Sequence, residues 1–479
     1  MQSTKPIIHS LISIVLLFLG LFLPAIGPIS EMGVTILFAF IGAIWGWCTV
    51  NMIWPSILAL FVLGLSGYTT VTGAFQAAAS NPTVLMVLFL MAFSSILQVT
   101  GITQRIAMWM ITRSFTKGHP WILSFMILLA AWLPAMFVGL TPPIIIVWAI
   151  IYSIANETGL KRGDKWISLM CFGVVFFATL GVNSVPFQVG VVANFGLMTA
   201  ATEGAYTLNY TYFLVFSCIM SIVLMLVFLL MARFVFHADV SSLNNYEAKA
   251  DTIEPMDGAA KIAVSLFALL VIVLMLPFLL PEGNVLRVFL QTNVDTTTCC
   301  ILAVALALIV QYKGKPFTSF SNLVTQGVSW EVVFMLAAAF TLSSAVTAEG
   351  VGISDALQHI VAPLLNGNNV IVFLGGLLFV ALVLTNFINN VVVSAIMVPI
   401  ACKVAMTTGI VDPIILTSLF ILVIDLGFVL PSSSVGGAML HGNSDWLPKR
   451  DILIYGTIIV FVTGVVCLFV GYPLAHLIF

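Results

Sequence analysis

The chain has 479 residues, of which 61% are hydrophobic and only 7% charged, with a formal net charge of −2 and a mean hydropathy of +1.19. Too little polar surface is available for a soluble fold, so the composition marks a polytopic membrane protein. The near-neutral charge carries no nucleic-acid signal.

Taken in chain order, apolar runs predict spans at 7–27, 33–50, 54–67 and 83–101. The first run is followed by no convincing small-residue cleavage site and is expected to be a retained helix. Residues 103–115 mix apolar and charged side chains at helical spacing and predict an interfacial amphipathic helix. A hydrophobic hairpin follows at 120–157, then a broken span at 166–200 and a span at 212–235.

The acidic, apolar-poor stretch from Asp239 to Asp257 predicts a solvated linker, placed at 237–259. Beyond it the same order returns, with spans at 260–281, 296–311 and 330–348, an amphipathic stretch at 353–365 and a hairpin at 369–407. A broken span at 412–441 and a final span at 452–477 complete the second set. The seven cysteines lie in apolar segments without metal-ligand spacing, the pattern of small apolar filler.

The two sets read as copies of one unit, residues 1–236 and 260–479. With a cytoplasmic N-terminus and two re-entrant hairpins, only Arg287 and Lys403 among the Lys and Arg fall outside, which favours this threading over its inverse. The first hairpin then enters from the cytoplasm and the second from outside, the C-terminus is outside, and the repeat is inverted. The expected fold is therefore an all-α polytopic membrane protein with two re-entrant helical hairpins and two broken transmembrane helices, in a bacterial inner membrane. Paired interrupted segments in corresponding halves point to a secondary transporter with its site at the repeat interface.

Four breaks carry the candidate chemistry, because irregular backbone at membrane depth is tolerated only where it is buried in protein or lines a cavity. They are Gly139-Leu140-Thr141 at the first tip, Gly181 to Gln188 in the first broken span, Thr385 to Asn390 at the second tip, and Gly427 to Gly437 in the second broken span. Half-helix N-termini offer N–H groups to an anion, and half-helix C-termini offer carbonyls to a cation. Thr141, Ser184, Gln188, Asn389, Asn390, Ser433 and Ser434 are the candidate substrate residues. Gly139, Gly181, Asn183, Asn386, Asn390, Ser432 and Asp425 are the candidates for cation binding or coupling. Asp425 stands apart as the one acid placed at membrane depth, a functional-site hypothesis by default. His441 and Lys403 lie nearer segment ends, where snorkelling is the commoner explanation.

At these breaks the chain resembles the divalent anion:sodium symporter family. Best matched are Ile388-Asn389-Asn390 through Val398-Pro399-Ile400, and Leu430-Pro431 through Gly442. The family's Ser-Asn-Thr tips correspond here to Asn389-Asn390-Val391 and to Gly139-Leu140-Thr141. Its Thr-Pro-Pro-Asn breaks correspond to Val185-Pro186-Phe187-Gln188 and Ser434-Val435-Gly436-Gly437.

The resemblance implies a carboxylate or oxyanion held between Thr141 and Asn390. It also implies one sodium near Gly181 to Ser184 and another between Asn386 to Asn390 and Ser432 to Ser434. A homodimer with a static scaffold and an elevator-type transport domain is implied as well. The expected partners are a small anionic solute, such as a di- or tricarboxylate, and the bilayer, with no cofactor beyond coupling ions. A cation/proton or anion antiporter on the same scaffold, with Asp425 as the exchanging group in the cation case, is the alternative. A channel gives no reason for matched re-entrant tips. An embedded enzyme needs an acidic pair or metal motif that the sequence lacks.

Overall fold

The computed structural model describes residues 5–98, 102–113, 116–244, 246, 256–281, 283–294, 296–348, 350–353, 356, 369–430 and 433–479. Among these the protein is all-helical apart from a two-residue hairpin pairing Gln311–Tyr312 with Lys315–Pro316. Among the described residues, seven helices are long and apolar enough to cross a membrane, or nine if each of two bent pairs counts as one span.

Those bent pairs are counterparts. Val71–Ser80 turns into the next helix by 49°, and Phe320–Gly327 turns into its successor by 76°. Helices Pro120–Val138 and Thr141–Thr158 form the first hairpin, and Val370–Thr385 and Asn390–Thr408 the second. Lys165–Val182 with Val189–Ala201 makes the first broken span, and Pro413–Ile424 with Val435–Gly442 the second. Each half ends on a long helix with a π-turn, which closes the helix at Met231–Val235 and interrupts it at Cys467–Gly471.

Several helices start where a side chain satisfies an orphan amide. Asn209 caps Thr211–Tyr212, Asp257 caps Ala260, Asn369 caps Ile371–Val372, and Asp412 caps Ile414. Pro120, Pro142 and Pro413 stand in first turns, where a missing N–H costs nothing. The short helices Val71–Ser80, Val285–Asn293 and Phe320–Gly327 lie in stretches too brief and polar to register as spans. The predicted amphipathic helix is present at Ile102–Ile111, packed on the first hairpin through Ala107, Met110 and Ile111. Its expected counterpart, 353–365, falls almost wholly outside the described residues.

The halves interlock rather than stand side by side. Helix Ile53–Leu65 packs on Trp330–Thr347 of the other half, and Thr296–Ile309 packs on Pro82–Gln98. In the same way Val189–Ala201 packs against Asn390–Thr408 and Pro413–Ile424, while Val435–Gly442 packs against Lys165–Val182. Every broken span therefore leans on the opposite half, which carries the breaks to one place. Among the described helices long enough to span, the most completely buried is Lys165–Val182, whose ring cluster of Phe172, Phe176 and Phe177 meets Phe428 and Phe228.

Candidate functional site

The four interruptions, distant in sequence, line one cavity of about 210 Å³. Leu140 comes from the first tip, Asn183 from the first break, Asn389 and Asn390 from the second tip, and Asp425, Ser433 and Ser434 from the second break. Hairpins predicted to enter from opposite faces thus meet tip to tip.

Each break is held by a specific polar network. At the first tip, Gly139 has φ +91°, a conformation that costs an L side chain energy and lets the chain reverse in two residues. In the first broken span, Asn183 is buried and donates from Nδ2 to the Ile421 carbonyl of the second broken span at 3.0 Å. The Ser184 hydroxyl donates to Leu180 O at 2.6 Å, lies 3.1 Å from Ser221 Oγ and accepts from Trp132 Nε1 at 3.3 Å. Gln188 Nε2 donates to Met136 O at 2.6 Å, tying this break to the first hairpin.

The second break is organised by Asn386. Its Oδ1 accepts from the amides of Phe428 at 3.1 Å and Val429 at 3.0 Å, and its Nδ2 donates to Leu382 O at 2.7 Å. The neighbouring Thr385 hydroxyl meets the Ile424 carbonyl and, at 2.8 Å, Asn390 Oδ1. Ser433 and Ser434 both donate to Gly427 O, at 2.8 and 2.5 Å, and Ser434 Oγ also accepts from Gly437 N at 2.9 Å. A Cβ on Gly427 would stand 2.5 Å from Thr385 O and 3.0 Å from Asn390 Oδ1, so the close approach of tip and break requires glycine there.

Asp425 terminates helix Pro413–Ile424 on the cavity wall, where the amide side chains of Asn183 and Asn390 stand beside it. No Lys, Arg or His lines the cavity among the described residues. Helix ends supply the remaining electrostatics. Three helices present their N-terminal ends, through Leu140, through Asn389 and Asn390, and through Ser434 and Val435. Two present C-terminal ends, through Val182 with Asn183 and through Asp425. Partial positive charge from the first set suits an anion, and carbonyls of the second suit a cation.

The remaining candidates sit elsewhere. Thr141 is exposed at the start of its helix and does not line the cavity, where its neighbour Leu140 stands. Ser184 and Gln188 are engaged in the networks above, behind the wall, and Gly181 packs against the Trp132 carbonyl. Gly139 shapes the tip, and Asn386 supports the second break from outside the cavity. Ser432 lies outside the described residues. Thr179 and Val182, which do line the cavity, and Thr385, which braces it, were not singled out from the sequence. Thr179 had one signal, a hydroxyl half a turn before Gly181 in an otherwise apolar helix.

Comparison with known proteins agrees with this picture. The solved structure of the Alcanivorax borkumensis YdaH transporter, described as having an unusual topology, superposes with a TM-score of 0.57 at 14% sequence identity. The match covers 98% of this chain and 100% of that one, a likeness of fold. No curated protein matches the sequence. The sequence matches the family CitMHS, citrate transporter, over residues 36–423, most of its length and the first three breaks, ending just before the fourth. A transporter rather than an enzyme is what the family describes, and the chain belongs to the citrate transporter family.

Proposed function

We propose that this protein is a secondary active carrier of citrate or a closely related carboxylate, coupled to sodium or protons, that binds its solute in the cavity where the four breaks meet. The observation that carries the reading is the charge arrangement. Three helix N-termini would face a polyanion, yet among the described residues the only ionisable side chain on the wall is itself an acid, Asp425. An anion alone would leave uncompensated charge beside Asp425 in low dielectric, and a cation alone would do so opposite the N-termini. Only joint occupancy balances the site, which gives coupling a physical cause.

Asn390, Asn389 and Ser434 are the proposed anion contacts, with Asn183 and Asp425 on the cation side. About 210 Å³ suits a small organic acid better than a drug-sized ligand. The partial likeness to the divalent anion:sodium symporters supports an elevator-type movement of the hairpins and broken spans. The same likeness supports a homodimer, for which the exposed Ile272, Leu302 and Ile309 offer an apolar face. The inside bias of Lys and Arg supports a cytoplasmic N-terminus.

The central position of Asp425 favours a second reading, exchange of a cation for protons. Both are tested by uptake of labelled citrate into proteoliposomes under imposed sodium or proton gradients, with and without divalent cations. Citrate accumulation that follows one gradient supports symport. Gradient-driven cation exchange without citrate movement supports the second reading, and uptake indifferent to every cation removes both.

A further inference from the structure

We propose that the groove along the exposed edge of helix Thr141–Thr158 is the water-filled passage between the solute cavity and the membrane face bearing Arg162 and Lys165, and that the matching route to the opposite face is closed. The inference rests on the reading of the cavity as the transport site and adds which face it opens to.

The second arm of the first hairpin carries an exposed ridge. Thr141, Ile145, Ala149, Ser153 and Glu157 recur at four-residue intervals, so each lies next to the one before it, and all five are exposed. An open groove of about 440 Å³ runs between the ridge and Met108 and Ile111 of the amphipathic helix. At one end of the ridge Thr141 follows directly on Leu140, which lines the solute cavity. At the other end Glu157 stands just before Arg162 and Lys165, so the ridge joins the cavity to that face. Gln104, Ser153, Glu157 and Tyr246 line the groove, and facing hydrocarbon would be costly for such polar and charged side chains. By contrast, the depression between Gly258–Leu279 and Thr296–Ile309 is lined by leucine, valine, phenylalanine, alanine and cysteine alone, the character of a surface that meets lipid.

The second hairpin shows the reverse. Its second arm, like that of the first, ends at a left-handed glycine, and aligning Gly409 with Gly159 sets the two arms in register. Ile145 and Ala149 then correspond to Ala395 and Pro399, which are both buried, and no residue of Asn390–Thr408 before Thr407 is exposed. Helix Val189–Ala201 packs along this arm and covers it. Its counterpart Val435–Gly442 has 8 residues against 13, about 12 Å of helix against about 20 Å, which is too short to cover the ridge on the first arm. One route from the cavity is therefore lined and open, and its symmetry mate is packed shut.

The test maps water along both arms. Ile145→Cys, Ala149→Cys and Ser153→Cys report on the ridge, Ala155→Cys on the buried side of the same helix, and Ala395→Cys on the second hairpin, each in a chain whose exposed Cys48 is replaced by Cys48→Ser. A membrane-impermeant maleimide is applied to each face of oriented membranes in turn; it reacts with the thiolate, which forms in water. From the face bearing Arg162 the three ridge cysteines should react severalfold faster than Ala155→Cys, and Ala395→Cys should stay unlabelled from the opposite face. Ridge cysteines that react only with a membrane-permeant maleimide, marking a lipid-filled groove, or with neither reagent, would overturn the passage. Labelling of Ala395→Cys from the opposite face as fast as Ala149→Cys from its own would overturn the closure. Because labelling needs no solute, it can succeed even if citrate uptake fails, so the two readings are judged separately.

Discussion

Replacing Asn386 with leucine should destabilise the protein by about 2–4 kcal/mol while keeping the number and branching of the side-chain heavy atoms. Asn386 Oδ1 is the acceptor for two consecutive backbone amides, Phe428 N and Val429 N, at the point where the second broken span loses its helical ladder. Phe428 is completely buried and Asn386 is 7% exposed, so water is poorly placed to replace the lost acceptor. An orphaned buried donor costs about 1–3 kcal/mol, giving about 2–6 kcal/mol for the pair. The half-buried Val429 and the added apolar contact of leucine offset part of this. The control is Asn389→Leu, which removes one cap, to Val391 N at 3.0 Å, and should cost only about 1 kcal/mol. Denaturation of both variants in mixed micelles, followed by tryptophan fluorescence, gives the two differences. If Asn386→Leu is no less stable than Asn389→Leu, the view that one side chain holds the second break in place is wrong.

Other substitutions probe the same junction. Gly427→Ala would press a methyl group against Thr385 O, Asn390 Oδ1 and Ser433 Cβ, the last at 3.1 Å. Overpacking of this kind costs about 1–3 kcal/mol, and proteoliposome uptake should be lost while membrane insertion is retained. Asp425→Asn keeps the shape of the cavity wall but removes its charge. Citrate uptake should then lose its dependence on the driving cation, and retention of the full cation response would exclude Asp425 from coupling. By contrast, Glu203→Gln breaks the 3.2 Å pair with Lys403 that ties the second hairpin to the end of the first broken span, but Glu203 is 67% exposed. Such pairs contribute about 0–1 kcal/mol, so uptake should change by less than about fivefold, and by still less at high salt.

Much of the architecture was legible from the order of residues. Apolar runs long enough to cross a bilayer have no other place to go, which fixed the spans to within a few residues. Proline and glycine clusters interrupting those runs marked the hairpin turn at Gly139 and the gap before Val189. The second copy of the same pattern pointed to a duplicated unit before any coordinates. Short helices such as Val71–Ser80 and Phe320–Gly327 escaped notice because their stability comes from packing against a neighbour, not from their own hydropathy.

Inside the breaks, sequence could only say which residues carried polar atoms. Asn386 and Asn390 are four positions apart in one loop, yet one braces the backbone behind the wall and the other faces the solute cavity. Ser184 and Ser433 look alike in the sequence, but the first is turned toward Ser221 and Trp132 while the second reaches the cavity. Thr385 became visible only through its bonds to Ile424 and Asn390. Where a helix unwinds is a local matter of backbone chemistry, and sequence determines it. Which way each freed side chain then points depends on partners hundreds of residues away, as with Asn183 and Ile421 or Tyr152 and Asn443, and only the tertiary fold decides that.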